Sequence, residues 1–215
     1  MPEQRKVGPG DHLTAIAERL GLPDTQTILA ESANESFRDR PHPEMLNPGE
    51  ILSLPDLEPV KHTLATGQRH KLTIQRPKAK LRVSFKTFSG KPTAAAQATL
   101  KLEGEAPEQI SLDGGSLDKP IPPACPTAGV EMPAVAEGKP EIHWRLRLGH
   151  LLRSEGDQGA LARLRNLGYY RAVPASADAN ERRSAIEEFQ FAQGLTVTGT
   201  LDDETRAKIE EIYGC

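Results

Sequence analysis

Aromatic residues make up only 4% of the 215-residue chain, and tryptophan occurs once. With hydrophobic residues at 37%, so little bulky volume argues against one deep core and for several small ones. Cysteine is scarcer still. Cys125 and Cys215 make no metal site on their own, and both sit in exposed-looking contexts, so two free thiols are the default and a disulfide between them is the alternative. No run approaches the ~18–20 apolar residues of a membrane span. The opening M-P-E-Q-R-K-V-G-P-G-D contains no apolar stretch of a secretory signal, so the expectation is a protein that is cytoplasmic as made. Catalytic patterns are missing as well. The six histidines never form H-E-x-x-H, and there is no G-x-S-x-G and no phosphate-binding glycine loop. His143 and His150 stand seven apart and share no face. The expectation is therefore a protein that is not an enzyme and carries neither metal nor cofactor.

What is present is patterned. A charged fraction of 27% with both signs, together with regular apolar spacing, is not the composition of a disordered chain. The net charge of −3 is unevenly spread. Residues 1–57 hold 5 Lys/Arg against 10 Asp/Glu, residues 58–150 hold 14 against 9, and residues 151–215 hold 8 against 11. Acidic ends around a basic middle argue against a nucleic-acid grip at either end. Lysines spread along strands read most simply as a solvated face.

Residues 1–57 read as strand, two helices, strand. Asp11 can cap a helix on which Leu13, Ile16, Ala17 and Leu20 share one face, and Gly21 ends it. Pro23-Asp24 restarts a helix carrying Ile28 and Leu29 as far as Ala33-Asn34. A polar loop, Glu35 to Met45, leads to the Pro48-Gly49 turn and the strand Glu50 to Leu54, which Pro55 ends. On Val7, Gly10-Asp11-His12-Leu13, Ile16-Ala17, Gly21, Ile28, Asn34, Leu46, Pro48-Gly49, Leu52 and Pro55, the segment resembles a LysM domain, with a longer second loop than is usual.

Residues 58–150 alternate with period two over Lys71–Gln75, Lys80–Phe88, Ala98–Leu102 and Ile142–Leu148. Turns such as S-G-K-P and D-G-G-S separate the runs, which predicts an antiparallel β-sandwich. The order of strands and turns resembles small transthyretin-like or carboxypeptidase-regulatory-like sandwiches and implies a spacer or docking surface.

Residues 151–215 turn helical. Asp157, Asn180 and Asp202 are candidate caps of three helices, and Gly168 and Gly194 close the first two. The string G-Y-Y, A-I-x-x-F-Q, G-L-T-V-T-G-x-L-D-x-x-T resembles the three-helix peptidoglycan-binding domain often appended to wall hydrolases. The stretch after Tyr170 departs from the D-G-x-F-G-x-x-T usual in that family. The chain as a whole is thus expected to be a multidomain α+β protein.

These resemblances imply ligand contacts. A LysM groove lies between two loops, here Gly10, Asp11, His12, Leu13 and Thr14 on one side and Asn34, Met45, Leu46 and Asn47 on the other. Open backbone groups there could pair with the acetamido and hydroxyl groups of N-acetylglucosamine. The plainer alternatives are a helix cap for Asp11, a core position for Leu13 and a helix end for Asn34. In the C-terminal segment Tyr169 and Tyr170 could offer a flat surface, with Gln190 and Thr200 as polar partners. The functional expectation is a non-catalytic protein that binds peptidoglycan glycan or stem peptide. The alternative is an adaptor, structural part or cargo of a type VI secretion or phage-tail-like machine, docking a spike or effector protein. That setting would also supply a signal-independent route to the periplasm or cell wall.

Overall fold

The computed structural model of the chain describes residues 3–57, 63–71, 73, 77–87, 90–134, 140–171 and 178–214. It divides into two compact units, residues 1–149 and 150–215. Antiparallel sheets fill much of the first and helices the second. The expected strand Lys71–Gln75 falls largely outside the described residues, and so does Cys215. Cys125 is a buried free thiol.

The first unit begins with β1 (Glu3–Lys6), α1 (Leu13–Arg19), α2 (Gln26–Leu29), a 3-10 turn (Ser32–Asn34), α3 (Glu35–Arg38) and β2 (Ile51–Leu54). β1 and β2 pair antiparallel with Glu3 opposite Leu54. The apolar face expected of α1 is buried: Leu13, Ile16 and Ala17 pack with Val7, Ile28, Leu46 and Leu52. Three local expectations change. The helix expected to reach Ala33-Asn34 stops at Leu29, and Ser32–Asn34 form a separate 3-10 turn. α1 begins one residue later, with His12 as its cap, its Nδ1 accepting from Ala15 N–H at 3.4 Å. The stretch expected as a polar loop contributes α3 instead, because Phe37 is apolar enough to be drawn into the core. The Arg40 guanidinium then stacks 4.1 Å over the Phe37 ring.

The rest of the unit is β3 (Ala79–Ser84), β4 (Gln97–Leu102), β5 (Glu108–Ser111), β6 (Ser116–Ile121), β7 (Thr127–Met132) and β8 (Ile142–Arg147). β3 pairs with β6, and the other four form an antiparallel sheet in the order β5-β4-β7-β8. Alternation puts Ala98, Leu100 and Leu102 on one face of β4, beside Ile110 of β5 and Val130 and Ala128 of β7. Leu81, Phe85, Leu117 and Ile121 from the two-stranded sheet bury into the same cluster. Two sheets closing on one core are the layered arrangement that period-two patterning implies.

The second unit has α4 (Asp157–Asn166), α5 (Ala179–Ala192) and α6 (Asp203–Tyr213). Asp202 caps α6 by accepting from Thr205 N–H at 2.9 Å. The α5 cap is Asp178 rather than Asn180. Gly156 occupies the α4 cap position, and Asp157 pairs with Arg206 instead. Gly159 cannot be replaced here, because a Cβ would stand 1.8 Å from the Arg153 carbonyl oxygen. Leu161, Leu164, Tyr170, Ile186, Phe189 and Ile209 form the core, and burying each of the Leu, Ile and Phe side chains contributes about 1.5–3 kcal/mol.

Candidate functional site

The second unit is organised around one buried amide. Gln190 lies on the inner face of α5 and is fully buried. Its two Nε2 hydrogens are shared among three acceptors, Thr198 Oγ1 at 2.9 Å, Thr200 O at 3.1 Å and Thr205 Oγ1 at 2.8 Å. Its Oε1 accepts from the backbone N–H groups of Thr198 and Gly199, both at 2.9 Å. One side chain thus fastens the 195–202 loop to α5 and to the start of α6. The Asp202 carboxylate completes the lock, accepting from Thr205 Oγ1 at 2.6 Å and Thr198 Oγ1 at 3.0 Å. The Thr205 hydroxyl, the Thr205 N–H and the Thr198 hydroxyl hold Asp202 below the usual carboxylate range, against a smaller opposing effect of burial.

A second buried polar side chain, a guanidinium, lies on α4. Arg163 is fully buried and donates to Leu152 O at 2.7 Å and Gly159 O at 3.1 Å, with Tyr213 stacked 5.5 Å away. Carbonyl partners offset the cost of removing its charge from water. Burial pushes the Glu155 carboxyl up, but its own backbone N–H, Arg153 and the field of Arg163 together hold it low.

Gln190 and Tyr170 therefore belong to the fold of this unit and not to an open ligand surface, a correction to the sequence expectation. The Tyr170 ring is buried and its hydroxyl has no hydrogen-bond partner. Tyr169 is half-buried, meets Phe189 edge-on at 5.3 Å, and accepts at its hydroxyl from Gln193 Nε2 at 3.2 Å. What the sequence reading missed is Phe191, 79% exposed, and Val197, 50% exposed. The signal was available: residues two apart on a helix lie about 200° apart, so Phe189 and Phe191 cannot both face the core.

Residues 160–209 match the family model described as "Putative peptidoglycan binding domain". The match spans α4 to α6, including Gln190 and the loop it fastens, and covers about a quarter of the chain. It supports the peptidoglycan-binding resemblance of this segment. No curated protein and no solved structure matches the chain.

The residues expected to line an N-terminal groove fall into two groups. Asn34 is fully buried: its Nδ2 donates to Ile28 O at 2.8 Å and Ser53 O at 2.7 Å, and its Oδ1 accepts from Ser53 N–H at 2.9 Å. Leu13 and Leu46 are core residues. For these three the structural reading replaces the ligand reading, since each is already surrounded by protein. Gly10, Asp11, His12, Thr14, Met45 and Asn47 are half-buried.

The two loops are stitched together by Glu44. Its carboxylate accepts from Thr14 Oγ1 at 2.7 Å and Thr25 Oγ1 at 3.0 Å, and its backbone oxygen accepts from Leu13 N–H at 3.2 Å. Asp11 N–H donates to Gly8 O at 3.2 Å. Two of the backbone donors expected to be open are therefore spent inside the protein. The Asp11 carboxylate is anchored by Gly8 N–H at 3.0 Å and by Arg19 and Arg5. Burial pushes its pKa up, but these partners outweigh that and leave it below the ordinary value.

Among the described residues no three His, Cys, Asp or Glu side chains converge as a metal site, and no helix is long and apolar enough to cross a membrane. The side chains brought together in both units are suited to hydrogen bonding and apolar contact.

Proposed function

We propose that the chain is a non-catalytic peptidoglycan-binding protein that positions itself or a partner on the bacterial cell wall. The single observation that carries this reading is the family match over residues 160–209, which falls on a compact helical unit of its own. The exposed Phe191 and Val197 and the half-buried Tyr169 are among the apolar groups that the described residues of this unit offer to a ligand. Its Gln190-anchored loop sets the backbone around Val197. The N-terminal strand–helix–strand segment is a LysM-type module that contacts N-acetylglucosamine through the half-buried Gly10, Asp11, His12 and Thr14. Two weak contacts on one polymer raise retention by effective concentration when both can engage. The test is incubation with purified sacculi. Retention of the chain without release of soluble muropeptides supports the reading, and muropeptide release would remove its non-catalytic part.

A second reading is favoured by one specific observation. His12 at the start of α1 and Glu18 within it already contact protein backbone, at Pro123 O and Ala124 N. A module that docks protein would suit an adaptor or cargo of a type VI secretion or phage-tail-like machine, with delivery to the periplasm or wall by a signal-independent route. Co-purification with a spike or effector protein from cells that make both tests this reading.

A further inference from the structure

The loop assigned to saccharide is covered from within the first unit. His12 Nδ1 accepts from Ala15 N–H, so the ring proton sits on Nε2, which donates to Pro123 O at 2.9 Å. Near the far end of α1, Glu18 Oε2 accepts from Ala124 N–H at 3.2 Å. The end of the sandwich makes a third contact. Gly149 lies so close to Gly10 that a Cβ would stand 2.6 Å from Gly10 O and 3.1 Å from the His12 ring. Gly149 also holds φ at +71°, which disfavours any other residue. Segments more than a hundred residues distant in sequence thus converge on one short stretch, residues 10–18. None of residues 10–14 is exposed.

We propose that Pro123-Ala124 and Gly149 form an autoinhibitory clasp over the Gly10–Thr14 loop, which must open before N-acetylglucosamine-containing glycan can reach it. This rests on the reading of that loop as a saccharide contact. The clasp is suited to opening, because one of its two hydrogen bonds is part-buried and the other exposed, and each is worth only a modest factor in an equilibrium. A ligand that binds only the open form loses apparent affinity in proportion to the closed population. Binding in solution is thereby weakened, and a dense polymer that presents many sugars at once can still drive the clasp open.

The experiment uses the full chain, a soluble N-acetylglucosamine oligomer as probe, and two variants that leave residues 10–14 unchanged. Gly149→Ala pushes the sandwich away from Gly10, and Glu18→Ala removes the acceptor for Ala124 N–H. Amide exchange of residues 10–18 and oligomer affinity by calorimetry are read on the same samples. Expected is faster exchange at 10–18 in both variants, with affinity rising about threefold for Glu18→Ala and about tenfold for Gly149→Ala. Unchanged exchange at 10–18 in both variants would show that no clasp exists. Faster exchange with the oligomer bound as tightly by the parent chain as by the variants would overturn gating. Faster exchange with no binding by any of the three would retire the saccharide reading of the loop, and gating with it, while leaving the contact in place. If Gly149→Ala fails to fold, Glu18→Ala alone decides, because it removes a single surface bond.

Discussion

Replacing Gln190 with leucine keeps most of the side-chain volume and deletes five hydrogen-bond contacts in one step. A net value of ~0.5–1.5 kcal/mol each sets the scale, but the contributions differ. Thr205 Oγ1 is buried and keeps its bond to Asp202, so it loses only one of two partners. Thr198 and Thr200 are exposed, so their freed groups can turn to water at lower cost. The added apolar surface of leucine returns some of the loss. The balance is about 3 kcal/mol of destabilisation. For a small unit that is a large share of a total of ~3–10 kcal/mol, and it lowers the melting midpoint by roughly 12–24 °C. The chain supplies its own reporters. All three tyrosines, Tyr169, Tyr170 and Tyr213, lie in residues 150–215, and the lone Trp144 lies in residues 1–149. Near-ultraviolet circular dichroism can therefore follow each unit in one sample. A tyrosine transition displaced by less than about 3 °C would refute the reasoning, since it would mean that the loop does not depend on this amide.

Other perturbations follow from the same geometry. Asn34→Ala strips three buried hydrogen bonds between α2, the 3-10 turn and β2, and is expected to cost about 3 kcal/mol in denaturant unfolding read by Trp144 fluorescence. Tyr170→Phe removes a buried hydroxyl that has no partner, so stability should hold or rise by up to about 1 kcal/mol, in contrast to both amide variants. Asp202 is held below the ordinary carboxylate value when folded, so its bonds stabilise the second unit above the unfolded-state value and lose that effect as pH falls through the lower folded value. Asp202→Asn should therefore narrow its stability gap to the parent chain as pH drops below about 4, measured as the tyrosine transition against pH.

Much of this architecture was legible because local signals and burial agree. Leu13, Ile16 and Ala17 repeat at helical spacing, and the alternation of Ala98, Leu100 and Leu102 is matched across β4 and β7. Asp202 followed three residues later by Thr205 places the start of α6. What escaped depends on distant partners. Phe37 enters a core that its polar neighbours conceal, and His12 takes the cap that the sequence reading gave to Asp11, whose carboxylate is drawn to Arg5, Arg19 and Gly8. The site was harder to read than the fold for a related reason. Polar residues such as Asn34 and Gln190 suggest ligand contacts when their partners are unknown, yet here each satisfies backbone groups inside its own unit. The convergence of Pro123, Ala124 and Gly149 on residues 10–18 spans more than a hundred positions and leaves no trace in any short pattern.

The central claim is that residues 150–215 hold the chain on peptidoglycan. Saturable co-sedimentation of the full chain with purified sacculi tests it most directly, run beside Gln190→Leu at a temperature where the tyrosine signal shows that variant's second unit to be unfolded. The account predicts that the parent chain moves to the pellet with a saturating isotherm and that the variant is retained far more weakly. Equal retention of both, or a parent chain left in the supernatant at low salt, would contradict it.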